Sequence, residues 1–76
     1  MYLYLVIKEH IVSDNNTESI TYGIKVLFCT CTHVTEKLRI HDISTDYDMI
    51  TRIAALCTNE QLDPVHLPDI VQDMIL

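Results

Sequence analysis

The sequence predicts an α+β fold, a three-stranded antiparallel meander followed by two helices packed on one of its faces (β-β-β-α-α). Three observations predict it. Apolar residues recur with period two through the first forty residues, with the helical period from about residue 46 onward, and clusters of turn-forming residues separate the segments. At 76 residues the chain has room for one domain, residues 1–76.

The first strand is read over Leu3–Val12. Leu3, Leu5, Ile7, Glu9 and Ile11 alternate with Tyr2, Tyr4, Val6, Lys8, His10 and Val12, and the odd positions form the more apolar set, so they are expected to face inward. Ser13, Asp14, Asn15, Asn16 and Thr17 follow, residues whose short polar side chains bond to their own backbone, which predicts a hairpin connection. Period two resumes over Ile20–Thr32, with Ile20, Tyr22, Ile24, Val26 and Phe28 on one face. Gly23, the one glycine of the chain, marks a bulge or lets a neighbouring side chain lie against the backbone. Leu38 and Ile40 share a face of a third strand, Lys37–Ile43.

Thr45 with Asp48 three residues on is a variant capping box, and Asp46 and Asp48 sit where a helix dipole favours carboxylates. Ile50, Ile53, Ala54 and Cys57 fall at i, i+3, i+4 and i+7, giving a helix that ends near Thr58–Asn59. Asp63 caps a turn that opens on Pro64. Because Pro68 lacks the amide that a helix begun at Pro64 would need, a single turn at Pro64–Leu67 is expected before a helix from Pro68. Leu67, Ile70, Val71, Met74 and Ile75 supply its apolar stripe.

This layout leaves one side of the sheet bare. Tyr2, Tyr4, Val6 and Val12 are expected there beside Leu27 and Cys29, and exposed apolar sheet surface invites a second copy or another protein, so a homodimer or a complex is predicted.

Formal charge is −6, from five bases and eleven acids. Residues 1–41 balance four acids against four bases, whereas residues 42–76 carry seven acids and one base, Arg52. Phosphate contacts need Lys and Arg, so direct nucleic-acid binding is excluded as an expectation. No run approaches the ~20 apolar residues of a membrane span, and the opening Met1–Ile7 run has neither the basic flank nor the cleavage site of a signal peptide. Three cysteines, Cys29, Cys31 and Cys57, fit free thiols in a reducing cytoplasm.

The densest group of potential ligands is Cys29-Thr30-Cys31-Thr32-His33. On a strand Cys29, Cys31 and His33 would project from one face, and with His41 across a hairpin they could offer four soft ligands to zinc or copper(I). An extended Cys-x-Cys spaces its sulfurs roughly 6–7 Å apart, wider than one zinc requires, so small apolar strand residues are the commoner reading. No spacing identifies a nucleophile with its base, a carboxylate pair or a phosphate loop; no catalysis and no cofactor are expected. Asp46, Asp63, Asp69 and Asp73 with His66 form a candidate surface for a basic partner, to which Tyr2 and Tyr4 are added from the open sheet face. Solubility is the plainer account of these acids.

The strings Thr21-Tyr22-Gly23-Ile24, Asp42-Ile43-Ser44-Thr45-Asp46 and Leu62-Asp63-Pro64-Val65-His66-Leu67-Pro68-Asp69 through Asp73 resemble, in order and spacing, a family of small bacterial and phage proteins without assigned function. The resemblance spans most of the chain. It implies a cytoplasmic protein and a shared surface containing Tyr22, Asp46, His66 and Asp69, and it brings no catalytic residue. Cys29–His33 lies outside its pattern. The function expected is a small acidic interaction module, a regulator or inhibitor acting on another protein, with a metal-responsive module as the alternative.

Overall fold

In the computed structural model, which describes residues 1–75 and the side chains of 1–74, the strands are β1 (Tyr2–Val12), β2 (Glu18–Cys29) and β3 (Val34–Ser44). Helix α1 (Tyr47–Asn59), a single 3-10 turn at Pro64–His66 and helix α2 (Leu67–Ile75) follow. The sheet is antiparallel in the order β1-β2-β3, as the period-two reading predicts. The apolar stripe expected to run to the end of the chain includes the side chain of Ile75 and all of Leu76, which lie outside the described residues. Met74, assigned to that stripe, is 47% exposed, while Ile70 and Val71 pack against the core.

The β1–β2 turn closes through Ser13 N donating to Thr17 O at 3.0 Å, with Asn16 at φ 61°, a left-handed value that asparagine tolerates better than most residues. β2 ends at Cys29 rather than Thr32, because Thr30–His33 forms the next turn: Thr30 N donates to His33 O at 2.9 Å and His33 N to Thr30 Oγ1 at 3.0 Å. β3 accordingly starts three residues before the expected Lys37.

Opposed pairs in an antiparallel sheet share a face. The register Tyr4↔Val26, Val6↔Ile24 and Tyr2↔Phe28, continued by Val26↔Leu38 and Ile24↔Ile40, therefore defines one surface, and this is the one the helices cover. The expectation that Leu3, Leu5 and Ile7 face inward is thus corrected. They lie opposite Leu27, Lys25 and Gly23, and Lys25 in turn opposes Arg39. Burying that side would have desolvated two cations, so the even face goes in although β1 alone reads as more apolar on the odd one.

The cap of α1 is one residue later than the capping-box reading placed it. Asp46, not Thr45, accepts from Met49 N at 3.1 Å, and Asp46 N donates to Ser44 Oγ at 3.0 Å. Ile50, Ile53, Ala54 and Cys57 are buried as the spacing predicts. The helix stops where Gln61 takes φ 48° and Leu62 N reaches back to Cys57 O at 3.1 Å, the six-to-one closure usual at a glycine. Asp63 accepts from Val65 N at 3.0 Å and Pro64 opens the turn, as predicted; α2 then begins with Pro68 in its first turn, where a missing amide costs nothing. The core joins Tyr4, Ile24 and Val26 of the sheet to the α1 stripe and to Leu67.

Candidate functional site

The surfaces of the molecule are the acidic helical layer, the open sheet face, and a polar node where the edge strands β1 and β3 meet across Gly23 of β2.

The strands and their turns, residues 1–44, hold five acids against four bases, and residues 45–76 hold six against one. The helical layer thus carries −5 of the −6. Two of its carboxylates have structural duties, Asp46 capping α1 and Asp63 capping the 3-10 turn, though both remain exposed. Asp69 and Asp73 are exposed one turn apart on α2, and His66 is exposed at the end of the 3-10 turn. The acidic part of the predicted partner surface therefore lies in one layer and is open.

Tyr2 and Tyr4 do not belong to it. Tyr4 is 4% exposed, and its hydroxyl donates to Leu62 O at 2.6 Å, tying β1 to the segment after α1. Burial, with smaller contributions from Cys57, Asp63 and Tyr2, pushes this phenol up to about 12. Tyr2 is half-buried on the helix side against Phe28, with ring centroids 5.1 Å apart. Both were expected on the open face; the register that turns Val26 and Ile24 inward takes them with it. What the open face presents is Leu3, Leu5, Ile7 and Leu27, each only partly covered, beside the cationic pair Lys25 and Arg39. Arg39 is joined to Glu36 at 2.6 Å, a hydrogen bond that holds the Glu36 carboxyl below the usual range.

The polar node was not foreseen. β3 bulges against Gly23: Tyr22 pairs with Ser44 and Ile24 with Ile40, so residues 41–43 oppose one glycine. A Cβ on Gly23 would stand 2.2 Å from Ile40 O, 3.0 Å from Glu9 Oε1 and 3.2 Å from His41 Cα. Both alternatives offered for this glycine hold at once, bulge and close approach. Across the gap Glu9 accepts from Asp42 N at 2.9 Å and from His41 Nδ1 at 2.5 Å. Thr21, buried, sets its hydroxyl 2.7 Å from Asp42 Oδ1 and 3.2 Å from Ser44 O. Asp42 adopts φ 51°. The backbone hydrogen bond, and after it His41, holds the Glu9 carboxyl below its ordinary range. The lone glycine in a strand was the available signal; sequence spacing does not reveal that Glu9 would cross it.

Glu9 and His41 form a hydrogen-bonded carboxylate–imidazole pair on an open surface. A groove of about 320 Å³ lies elsewhere, between β3 and the 3-10 turn, lined by Lys37, Leu38, Pro64, Val65 and Pro68.

The Cys/His cluster is not the same-face ladder the strand reading implied. Only Cys29 is on a strand, Cys31 and His33 belong to the turn, and the His33 ring nitrogen Nδ1 is bonded to Thr32 Oγ1 at 2.8 Å. His41 sits in the Glu9 node; its neighbour Ile40 pairs with Ile24, five residues and roughly 16 Å along β2 from Cys29. Among the described residues no three His, Cys, Asp or Glu side chains are grouped to hold a metal ion. Cys57 is buried in the core, and burial pushes its thiol up.

Among the described residues no helix is long and apolar enough to cross a membrane. No curated protein and no solved structure matches the chain. A family model is matched over residues 1–76, and the chain belongs to the Family of unknown function (DUF6514).

Proposed function

We propose that the protein is a non-enzymatic interaction module, a small acidic regulator or inhibitor that docks its helical layer on a basic partner protein in a reducing cytoplasm and works as a homodimer. The observation that carries the reading is the segregation of charge: residues 45–76 hold six acids and one base, all on the side of the sheet away from the apolar open face. A concentrated negative layer speeds encounter with a cationic surface and repels nucleic acid and anionic lipid. The three free cysteines fit the reducing compartment.

The test is affinity capture from a native lysate at about 50 mM and about 500 mM salt, where the screening length falls from roughly 14 Å to roughly 4 Å. The expected result is a partner retained at low salt, released at high salt, and lost from a variant carrying Asp69→Asn and Asp73→Asn. Capture indifferent to both salt and these substitutions, or no capture at all, would sink the reading.

A further inference from the structure

We infer that the basic partner adds an extended segment to the free edge of β3, seating one apolar side chain in the groove between Leu38 and the 3-10 turn and bringing a Lys or Arg two residues away against Asp69. This rests on the docking of a basic partner proposed above and assigns it a place and a mode.

The two edges of the sheet differ where the helical layer meets them. Met1 N donates to Cys29 O at 3.1 Å and Cys29 N to Met1 O at 2.7 Å, so the odd residues of β1 bond to β2 and the even ones turn their amides and carbonyls outward. Thr58 and Gln61, at the end of α1 and just beyond it, already occupy those groups: Tyr2 N donates to Gln61 Oε1 at 2.8 Å, Gln61 Nε2 to Tyr2 O at 2.9 Å, and Tyr4 N to Thr58 Oγ1 at 3.0 Å. On the other edge the same alternation bonds Leu38 and Ile40 to Val26 and Ile24, which leaves Arg39, and Glu36 opposite Leu27, with backbone groups directed away from the sheet. Among the described residues no side chain bonds to those groups; Glu36 and Arg39 are joined through their side chains alone. Val34, Thr35, Glu36 and Lys37 are all exposed. A free edge of this kind accepts a further strand.

The groove adjoins that edge. Lys37 is the extra residue of a bulge between the Val26–Leu38 and Leu27–Glu36 pairs, and it lines the groove together with Leu38, while Pro64, Val65 and Pro68 form the other wall. Val65 is 71% exposed, the most open of the exposed large apolar side chains. Lys37, the one charged residue of the lining, sets its Nζ over the Phe28 ring, 5.8 Å from the centroid. A strand on β3 would put alternate side chains on the helix side, roughly 7 Å apart, so that one enters the groove and the next passes the helical layer. Charge selects that neighbour: exposed Asp63 and Asp69 bracket the Pro64–Pro68 wall, in a layer of six acids and one base. The free stretch ends at the second irregularity of β3, opposite Gly23, a length that suits a short segment rather than the whole edge of another sheet.

The probe is an end-blocked heptapeptide, Thr-Lys-Thr-Leu-Thr-Lys-Thr, whose lysines and leucine share one face of a strand. It is titrated to about 5 mM into the nitrogen-15-labelled full chain, a range that reads millimolar affinity. Saturating shifts are expected at the amides of Val34 to Arg39 and of Val65, with binding about fivefold weaker at about 500 mM salt than at about 50 mM. Val65→Ser and, separately, Asp69→Asn, both at exposed positions, are each expected to weaken binding about threefold or more, and Leu56→Ser, on the exposed side of α1, to leave it unchanged. The same peptide methylated on its backbone nitrogens is expected not to bind. No saturating shift, shifts confined to α2 with β3 unmoved, or equal binding of the methylated peptide overturns the strand site and leaves the acidic docking to the capture experiment. Equal binding of a peptide with Asp in place of both lysines overturns the basic occupant, and with it the reading on which this one rests. Shifts of the same β3 amides with protein concentration alone would give the edge to a second copy and overturn it as the site of a partner segment.

Discussion

On the helix side of the sheet Tyr4, Ile24 and Val26 are 4%, 0% and 0% exposed, whereas on the opposite side Leu3, Leu5, Ile7 and Leu27 stay partly open, although β1 contributes large apolar side chains to both. The difference comes from the neighbours. β2 and β3 put Lys25 opposite Arg39 on one face and Val26 opposite Leu38 on the other, and β1, an edge strand, follows the pair that can be desolvated. A strand's inner face is thus a property of the sheet, not of the strand.

The largest expected effect tests this asymmetry directly. Ile24→Ala should cost about 2–5 kcal/mol, since Ile24 has no exposed surface and the cavity left behind cannot be filled by solvent. Leu5→Ala, at a position only partly covered, should cost under about 1 kcal/mol. Thermal unfolding of the two variants side by side checks it, and equal losses would erase the distinction between the faces.

Next comes the place where the two faces are not separable. At Gly23 a methyl group directed to the open side would collide with Ile40 O, a backbone atom that cannot rotate away. Gly23→Ala should cost about 3 kcal/mol, lowering Tm by roughly 12–24 °C in a chain of this size, by pushing β3 off its bulge. A loss of only a degree or two would mean that the bulge relaxes freely.

These two positions also show what the sequence made legible. Order and type of every element could be read from period two, period 3.6 and turn chemistry, because each is a local property; the Asp63–Pro64 turn and the Ile50–Cys57 stripe needed no partner to be recognised. The choice of face for β1 depended on β2 and β3, and the extent of β2 on a turn held by Thr30, whose hydroxyl and amide bond to His33. That same turn dissolved the Cys29–His33 ladder. Of the candidate surface, the exposed carboxylates were legible from charge counting, whereas Tyr4 was misplaced by its strand and the Glu9 node depended on a register that no spacing reveals.

A third and smaller effect sits at the join between the sheet and the helical layer. Tyr4→Phe keeps the ring but leaves Leu62 O without its 2.6 Å donor, for an expected cost of about 1–2 kcal/mol near neutral pH. Because the buried phenol is pushed up to about 12, its contribution is complete below pH 10, where the unfolded chain's tyrosine begins to ionise, and is lost as pH rises from there toward 12. The gap between wild type and variant in urea unfolding should therefore narrow across that alkaline window. A gap constant to pH 12 would place the hydrogen bond outside the folded-state balance.

The smallest effect belongs to the open side. Ionised Glu9 is favoured in the folded chain by Asp42 N and then by His41, so its carboxyl lies below the ordinary 4.5. The sign follows: its contribution is fully present above the unfolded value and disappears as pH falls from about 4.5 through the lowered folded one. Glu9→Gln preserves the reach over Gly23 and an oxygen for Asp42 N while removing the charge. Its Tm should sit a few degrees at most below wild type at pH 7, and the two curves should converge as pH falls through the lowered folded value of Glu9. Because Glu9 lies on the solvent-facing side, 0.5 M salt should shrink the difference at pH 7 while leaving the Ile24→Ala loss untouched, which separates a screened surface interaction from a buried one within the same three strands.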